Sequence, residues 1–281
     1  MKIAVINDLS GMGRCSLVAS ISVLGVLGHQ VLPVPTAILS NQTGYPKFSF
    51  VDFTDNMDEY LANWQDMGEK FDVIYSGFLS NQKQVQKIVD MHKNMSNDGC
   101  LLLVDPVMGD GGKMYATFDD DLCKKIKSLA QEADVVTPNV TEACILTDTC
   151  YDEFVKELDG TNFCDKFFEL AKKVQSLGCK RVVITGYEHV LDNKKYVCNF
   201  VLDDNGFDYT QNDMYGGHYS GTGDIMASII TGQLANGKSL CGSVKTAANF
   251  VEVAVKDAFK NNVPQNDGVN FERFLHLLIE K

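Results

Sequence analysis

The feature that most constrains this chain is an alternation. Short runs dense in Val, Ile and Leu recur along it, each followed by a stretch of helix length. "KIAVIN" (Lys2–Asn7) precedes an apolar segment from Cys15 to Leu27, "QVLPVPTAIL" (Gln30–Leu39) is extended, and "FDVIYSG" (Phe71–Gly77) precedes "NQKQVQKIVDMHKNM" (Asn81–Met95). "CLLLVDP" (Cys100–Pro106), "ADVVTPN" (Ala133–Asn139) and "KRVVITG" (Lys180–Gly186) follow in turn. Runs that are apolar at nearly every position suit strands covered on both faces, and strand–helix alternation makes such strands parallel. The pattern predicts an α/β fold: a three-layer α/β/α sandwich around a mostly parallel central sheet.

One region departs from the pattern. In "KKYVCNFVLDDNGFDYTQ" (Lys194–Gln211) the turn Asp203-Asp204-Asn205-Gly206 separates two strand-like runs, which predicts an antiparallel hairpin at the sheet edge. Beyond it, helices are expected from Gly223 to about Ala235, Leu240 to about Phe259, and Asn270 to Ile279. No stretch is rich enough in Pro, Ser or charge to be a linker, so residues 1–281 read as a single domain.

Composition narrows the function classes. A formal net charge of −12 opposes a nucleic-acid surface, which needs clustered Lys and Arg. With 22% charged and 45% hydrophobic residues the chain is neither disordered nor membrane-spanning in character. The four apolar residues Ile3 to Ile6 are too few for a signal-peptide core, which points to the cytoplasm. Nine cysteines without C-x-x-C pairs or nearby histidines imply neither zinc nor disulfides but free thiols in a reducing compartment.

In open parallel sheets, ligands bind beyond the carboxyl ends of the strands. Asn7-Asp8, Asn41-Gln42-Thr43, Ser76-Gly77, Asp105, Thr137 to Asn139, Thr185-Gly186 and the loop Gly216 to Asp224 all follow strands, so they should share one rim. In "DPVMGDGGKMY" (Asp105–Tyr115) one carboxylate ends a strand and Asp110 sits on a glycine turn. Two carboxylates beside phosphates suit Mg²⁺, although a strand-end turn with a capping Asp accounts for the same residues. In "TPNVTEA" (Thr137–Ala143), Asn139 and Glu142 have the spacing of a helix capping box, and equally could support a metal hydration shell.

"GGHYSGTGDIMAS" (Gly216–Ser228) poses a puzzle of charge. A glycine-rich turn opening a helix attracts anions, yet this one delivers Asp224 to the same place. The chain contains no G-x-x-x-x-G-K-[ST] phosphate loop. The conflict resolves if Asp224 accepts a proton from a substrate hydroxyl while the amides of Gly221, Thr222 and Gly223 stabilise the phosphoryl group being transferred to it.

With these motifs in order, the sequence resembles the ribokinase superfamily and, within it, the pyridoxal kinases. "SNQTGY" (Ser40–Tyr45) is similar to that family's S-N-H-T-G-Y segment, and "DPVMGD", "TPNVTEA" and "GTGD" match its later blocks in order and spacing. The resemblance implies a ribokinase-like fold and ATP-dependent phosphorylation of the 5′-hydroxymethyl group of pyridoxal, pyridoxine or pyridoxamine. It implies Asp224 as catalytic base, with Gly221, Thr222 and Gly223 as anion hole. Asp105, Asp110, Asn139 and Glu142 would surround Mg²⁺ and ATP, and Thr137 and Thr185 would lie near the phosphates or a monovalent cation, K⁺. Ser10, Thr43 and Phe78 would contact the pyridine ring, and the chain would form a homodimer. Two departures keep a second substrate open. Gln42 replaces the family's His, and "NDLSGMG" is closer to the D-P-S-G-G of hydroxymethylpyrimidine kinases, which leaves Asp8 as a rival to Ser10. Those kinases commonly carry Cys where this chain has Asp224. The alternatives are therefore a hydroxymethylpyrimidine kinase or a non-catalytic B6-binding protein.

Overall fold

The computed structural model describes residues 1–115, 118–158 and 162–279. In chain order the elements are β1 (Lys2–Ser10), α1 (Ser16–Val26), β2 (Gln30–Leu39), β3 (Phe50–Asp52), α2 (Thr54–Asp66), β4 (Phe71–Ser76), α3 (Gln82–Met95) and β5 (Ser96–Val104). There follow β6 (Gly109–Asp110), β7 (Lys113–Met114), α4 (Asp120–Glu132), β8 (Val135–Val136), α5 (Val140–Leu146), α6 (Tyr151–Lys156) and α7 (Phe163–Gln175). Then come β9 (Arg181–Leu191), β10 (Lys194–Asp203), β11 (Gly206–Asp213), α8 (Thr222–Ala235) and α9 (Leu240–Lys260), with 3-10 segments at Gln265–Asp267 and Phe271–Leu278.

The main sheet has nine strands in the order β11-β10-β9-β8-β5-β4-β1-β2-β3. From β2 through β9 all pairings are parallel. The strand order reverses at β1, whose neighbours are β2 on one side and β4 on the other, so the crevice past the carboxyl ends of β1 and β4 is where a ligand is expected. Each parallel strand is covered twice. Along β1, Ile3 and Val5 face a core with α1, α8 and α9, whereas Ala4 and Ile6 face the core built on α2 through α7. This double burial is why the strands lack polar alternation, and each such side chain contributes about 1.5–3 kcal/mol. The α8 helix is buried from Ile225 through Gln233, as an almost uniformly apolar helix must be.

The edges are antiparallel. The hairpin β10–β11 closes between Asp203 and Gly206, as the sequence predicts. The preceding strand is longer than "KRVVITG" suggests: β9 runs on to Leu191 and turns through Asp192 and Asn193, both at positive φ, into β10. Two consecutive left-handed residues are the turn that matches strand twist. At the opposite edge, β3 covers only Ala37 to Leu39 of β2. Pro33 and Pro35 lie in the uncovered part, where a missing N–H leaves no partner wanting. The segment expected as a C-terminal helix is instead 3-10, anchored by buried Phe271 and Leu278.

Candidate active site

The site begins with Asn7 at the end of β1, which is fully buried. Its Oδ1 accepts the N–H of Asp8 at 2.9 Å and of Phe78 at 3.0 Å. With the oxygen occupied, the amide nitrogen has one orientation left, and it donates to Asp224 Oδ1 at 2.9 Å. Only glycine fits at position 77, because a Cβ there would lie 2.5 Å from Asn7 Nδ2.

Beside Asp224 stands the amino end of α1, whose N-cap residue Cys15 supplies no side-chain bond and whose first backbone N–H, at Ser16, favours the ionised form of Asp224. The aspartate in the first turn of α8 thus faces the amino end of a different helix, and α8 has no side-chain cap of its own. Gly221, at φ 80°, brings the two helix ends together, since a Cβ there would meet the Arg14 carbonyl oxygen at 2.3 Å. The first-turn amides of α8 have no carbonyl one turn back, so they remain available to an anion. Asn7 uses one of the carboxylate's roughly four acceptor positions, which leaves others free for a proton.

The acidic groups crowd one another. Burial, reinforced by the charge of Asp8, pushes the Asp224 carboxyl up to about 6 against the opposing Ser16 N–H and Asn7 bonds. Burial, then the charge of Asp224, pushes Asp105 up to about 7, although the Thr137 hydroxyl donates to it at 2.9 Å. Glu142 is raised well above its ordinary range by burial and by Asp105. Burial and neighbouring carboxylates raise these groups, and the opposing contributions come from hydrogen bonds.

A consequence for stability follows from the sign. Carboxyls whose folded pKa lies above the unfolded value of 3.8 hold protons that the unfolded chain has released, so between about pH 4 and 7 stability falls as pH rises. Metal-free protein should therefore lose melting temperature from pH 5 to pH 8, and Asp105→Asn should flatten that slope. An unchanged slope in the variant would show that Asp105 is not the group being discharged.

Glu142 and Asn139 form the capping box foreseen for "TPNVTEA". Asn139 Oδ1 accepts the Glu142 N–H at 2.9 Å, and Glu142 Oε2 accepts the Asn139 N–H at 2.8 Å. Glu142 Oε1 also accepts the Met108 N–H at 3.0 Å, and Asn139 Nδ2 donates to the Gly109 carbonyl at 2.8 Å. The pair thus ties the end of β8 to the segment after β5. Thr185 joins the same rim through a parallel bridge to Asn139. The glycine turn carrying Asp110 is a small two-stranded ribbon, β6–β7, rather than an irregular loop. Asp110 is exposed there, and its carboxylate accepts the Gly111 N–H at 2.8 Å. Among the described residues no three His, Cys, Asp or Glu side chains form a ready metal cluster.

On the other side of Asp224, the buried Ser10 hydroxyl donates to Asp8 Oδ2 at 2.7 Å, so the two rivals for a ring contact are bonded to each other. Phe78 projects beside Phe118, ring centroids 5.9 Å apart, and Phe118 meets Tyr115 at 6.2 Å. This makes an aromatic wall of which the sequence reading found only Phe78. Thr43 is exposed on its loop. His218, in the loop before α8, pairs with Glu188 at 2.9 Å. Asn7 was visible as a strand-end residue, but nothing in the sequence signalled that its amide would reach Asp224.

A ribokinase-like sheet, an uncapped helix end and a half-buried carboxylate beside it fit an ATP-dependent small-molecule kinase, the class to which its sequence and structural relatives assign the chain. The chain belongs to the phosphomethylpyrimidine kinase family, whose sequence pattern matches residues 16–269. It is similar to the pyridoxal kinase PdxY of Histophilus somni, 27% identical over 236 residues that cover 80% of this chain and 78% of that one. Among solved structures, a Bacteroides thetaiotaomicron protein in an orthorhombic form with pyridoxal superposes with a TM-score of 0.91 at 36% identity, covering 99% of this chain and 95% of that one. The pyridoxal kinase of Lactobacillus plantarum gives a TM-score of 0.86 at 28% identity, covering 99% and 96%.

Proposed function

We propose that this protein transfers the γ-phosphoryl group of ATP to the 5′-hydroxymethyl group of pyridoxal, pyridoxine or pyridoxamine. The observation that carries the reading is the fixing of Asp224 by Asn7 at the open end of α8. Asp224 takes the proton of the substrate hydroxyl, the oxygen attacks the γ-phosphorus in line, and ADP leaves. The amides of Gly221, Thr222 and Gly223 face the charge that develops on the phosphoryl oxygens. Asp105 and Asp110 suit Mg²⁺, which takes one or two carboxylates together with waters and phosphate oxygens and would neutralise charge on ATP. Asn139 and Glu142 hold that rim in place, and Thr137 and Thr185 lie where K⁺ or phosphate would be met.

On the acceptor side, Phe78 covers one face of the ring, with Ser10 and Thr43 at its polar edges. Pairing of two copies is supported by the thin sheet edge, where Phe50 and Val51 of β3 and Ile38 of β2 are exposed. A cytoplasmic setting agrees with the thiol-rich composition, and among the described residues no helix is long and apolar enough to cross a membrane.

The family's name also keeps the hydroxymethylpyrimidine reading in view. The deciding assay presents ATP with the three B6 vitamers and with hydroxymethylpyrimidine, reading ADP release and product mass. The expected result is a kcat/KM for a B6 vitamer at least about tenfold above that for the pyrimidine, the scale of one well-placed contact. A preference for the pyrimidine would replace the substrate assignment, and binding without turnover would replace the kinase by a B6-binding protein.

A further inference from the structure

Gln42, the residue that departs from the S-N-H-T-G-Y pattern, does not point into the cleft as a ring contact. Its backbone N–H donates to the Met12 carbonyl at 3.0 Å, its Nε2 donates to the Asn266 carbonyl at 3.2 Å, and its Oε1 accepts the Gly44 N–H at 2.6 Å. Asn266 returns a bond from Nδ2 to the Gly44 carbonyl at 2.9 Å, and the Tyr45 hydroxyl donates to Asp267 Oδ1. The three bonds between these segments span 222 to 224 residues of sequence. The fit is close: a Cβ at Gly13 would lie 2.5 Å from Gln42 Cγ, and one at Gly44 would lie 2.8 Å from Asn266 Oδ1.

The turn that receives these bonds also holds the helix end carrying Asp224. The Ser220 N–H donates to the Gln265 carbonyl at 3.0 Å. A Cβ at Gly217 would be 2.5 Å from Gln265 Nε2, and one at Gly268 would be 3.0 Å from the Ser220 carbonyl oxygen. Arg14, beside Gly221, bonds the Asp267 carbonyl at 3.4 Å and Glu272 at 2.9 Å. Loop 41–45, turn 264–268 and loop 216–221 are thereby joined in series, and none of the linking side chains bonds Asp224.

We propose that Gln42, Tyr45, Asn266 and Asp267 are a clasp of positioning residues that fixes the acceptor-side loop 41–45 to the turn supporting the phosphoryl cradle, so that both order as one body. An alcohol that binds against loop 41–45 then meets a cradle already in register, and the clasp acts on acceptor binding rather than on the transfer itself. This consequence for substrate rests on the kinase reading above, whereas the joint ordering of the two segments does not.

The test uses Tyr45→Phe, Asp267→Ala and the double variant, with amide hydrogen exchange of the ligand-free protein and steady-state kinetics. Each single change should speed exchange in both 40–49 and 264–268, and the double should add little to either, because both changes remove the same bond. With pyridoxal, KM should rise about fivefold, the equivalent of one net hydrogen bond, while kcat and the KM for ATP stay within about twofold. Faster exchange confined to the mutated segment, additive effects in the double, or a fall in kcat at constant KM would each overturn the clasp. Coupled exchange in a protein that does not phosphorylate pyridoxal would instead overturn the substrate reading and leave the clasp standing.

Discussion

Asp224→Asn is expected to abolish most turnover while making the protein more stable at pH 8. The amide oxygen can still accept from Asn7, so the tie between β1 and α8 should be kept. It cannot take a proton from an alcohol, and loss of a positioned base should lower kcat by about 10² to 10⁴-fold with little change in the KM for ATP. The same change removes a carboxylate whose ionised form is disfavoured by burial and by Asp8, so the melting temperature at pH 8 should rise. Active sites commonly trade stability for chemistry in this way. A variant that is both active and unchanged in stability would remove Asp224 from the mechanism and from the electrostatic account together.

Gly221→Ala should damage activity and stability at once. A methyl group would sit 2.3 Å from the Arg14 carbonyl oxygen and 2.9 Å from Cys15 Cα, both backbone atoms, at a φ of 80° that an alanine adopts only under strain. Strain of this kind costs about 1–3 kcal/mol. The chain can relieve it only by moving the turn at Gly13 to Ser16 away from α8, which draws the Ser16 N–H off Asp224. The expected outcome is a loss in kcat/KM of at least about 10²-fold, by the misplacement of reacting groups. A drop in melting temperature of several degrees should accompany it. Gly223→Ala is the contrast, because nothing lies within 4 Å of its Cβ position. Its melting temperature should match the parent's, and any loss of turnover would then report how closely the ligand approaches that amide. Equal melting temperatures in the two variants would show that the helix ends do not depend on contact at Gly221.

The difference between the two glycines could not be read from "GTGD". Both are small and both flank Thr222; the approach of Arg14 and Cys15 and the positive φ of Gly221 distinguish them. Glu142 shows the converse. Its spacing from Asn139 announced a capping box, and the structure makes that box, because a cap is formed between residues three apart and needs nothing remote. The same locality explains why the hairpin at Asp203 to Gly206 was foreseen, while the continuation of β9 to Leu191 was not. That continuation depends on the pairing with β10 and on two residues at positive φ, which Asp and Asn tolerate but do not demand.

The sequence by itself determined the layered architecture, the rim at which strand-end residues gather, and the identity of the carboxylate beside the glycine turn. Those are properties of periodicity and of chemical type, and they are carried by neighbours along the chain. Only the tertiary structure decided what orients that carboxylate. Asn7 reaches Asp224 across 217 positions, and the carboxylate faces the amino end of α1 as well as that of its own helix. Gln42, where the resembling segment has His, is a strut to Asn266. Hydrogen bonds between distant segments depend on which loops the closed sheet brings within about 3 Å, and no local pattern encodes that distance.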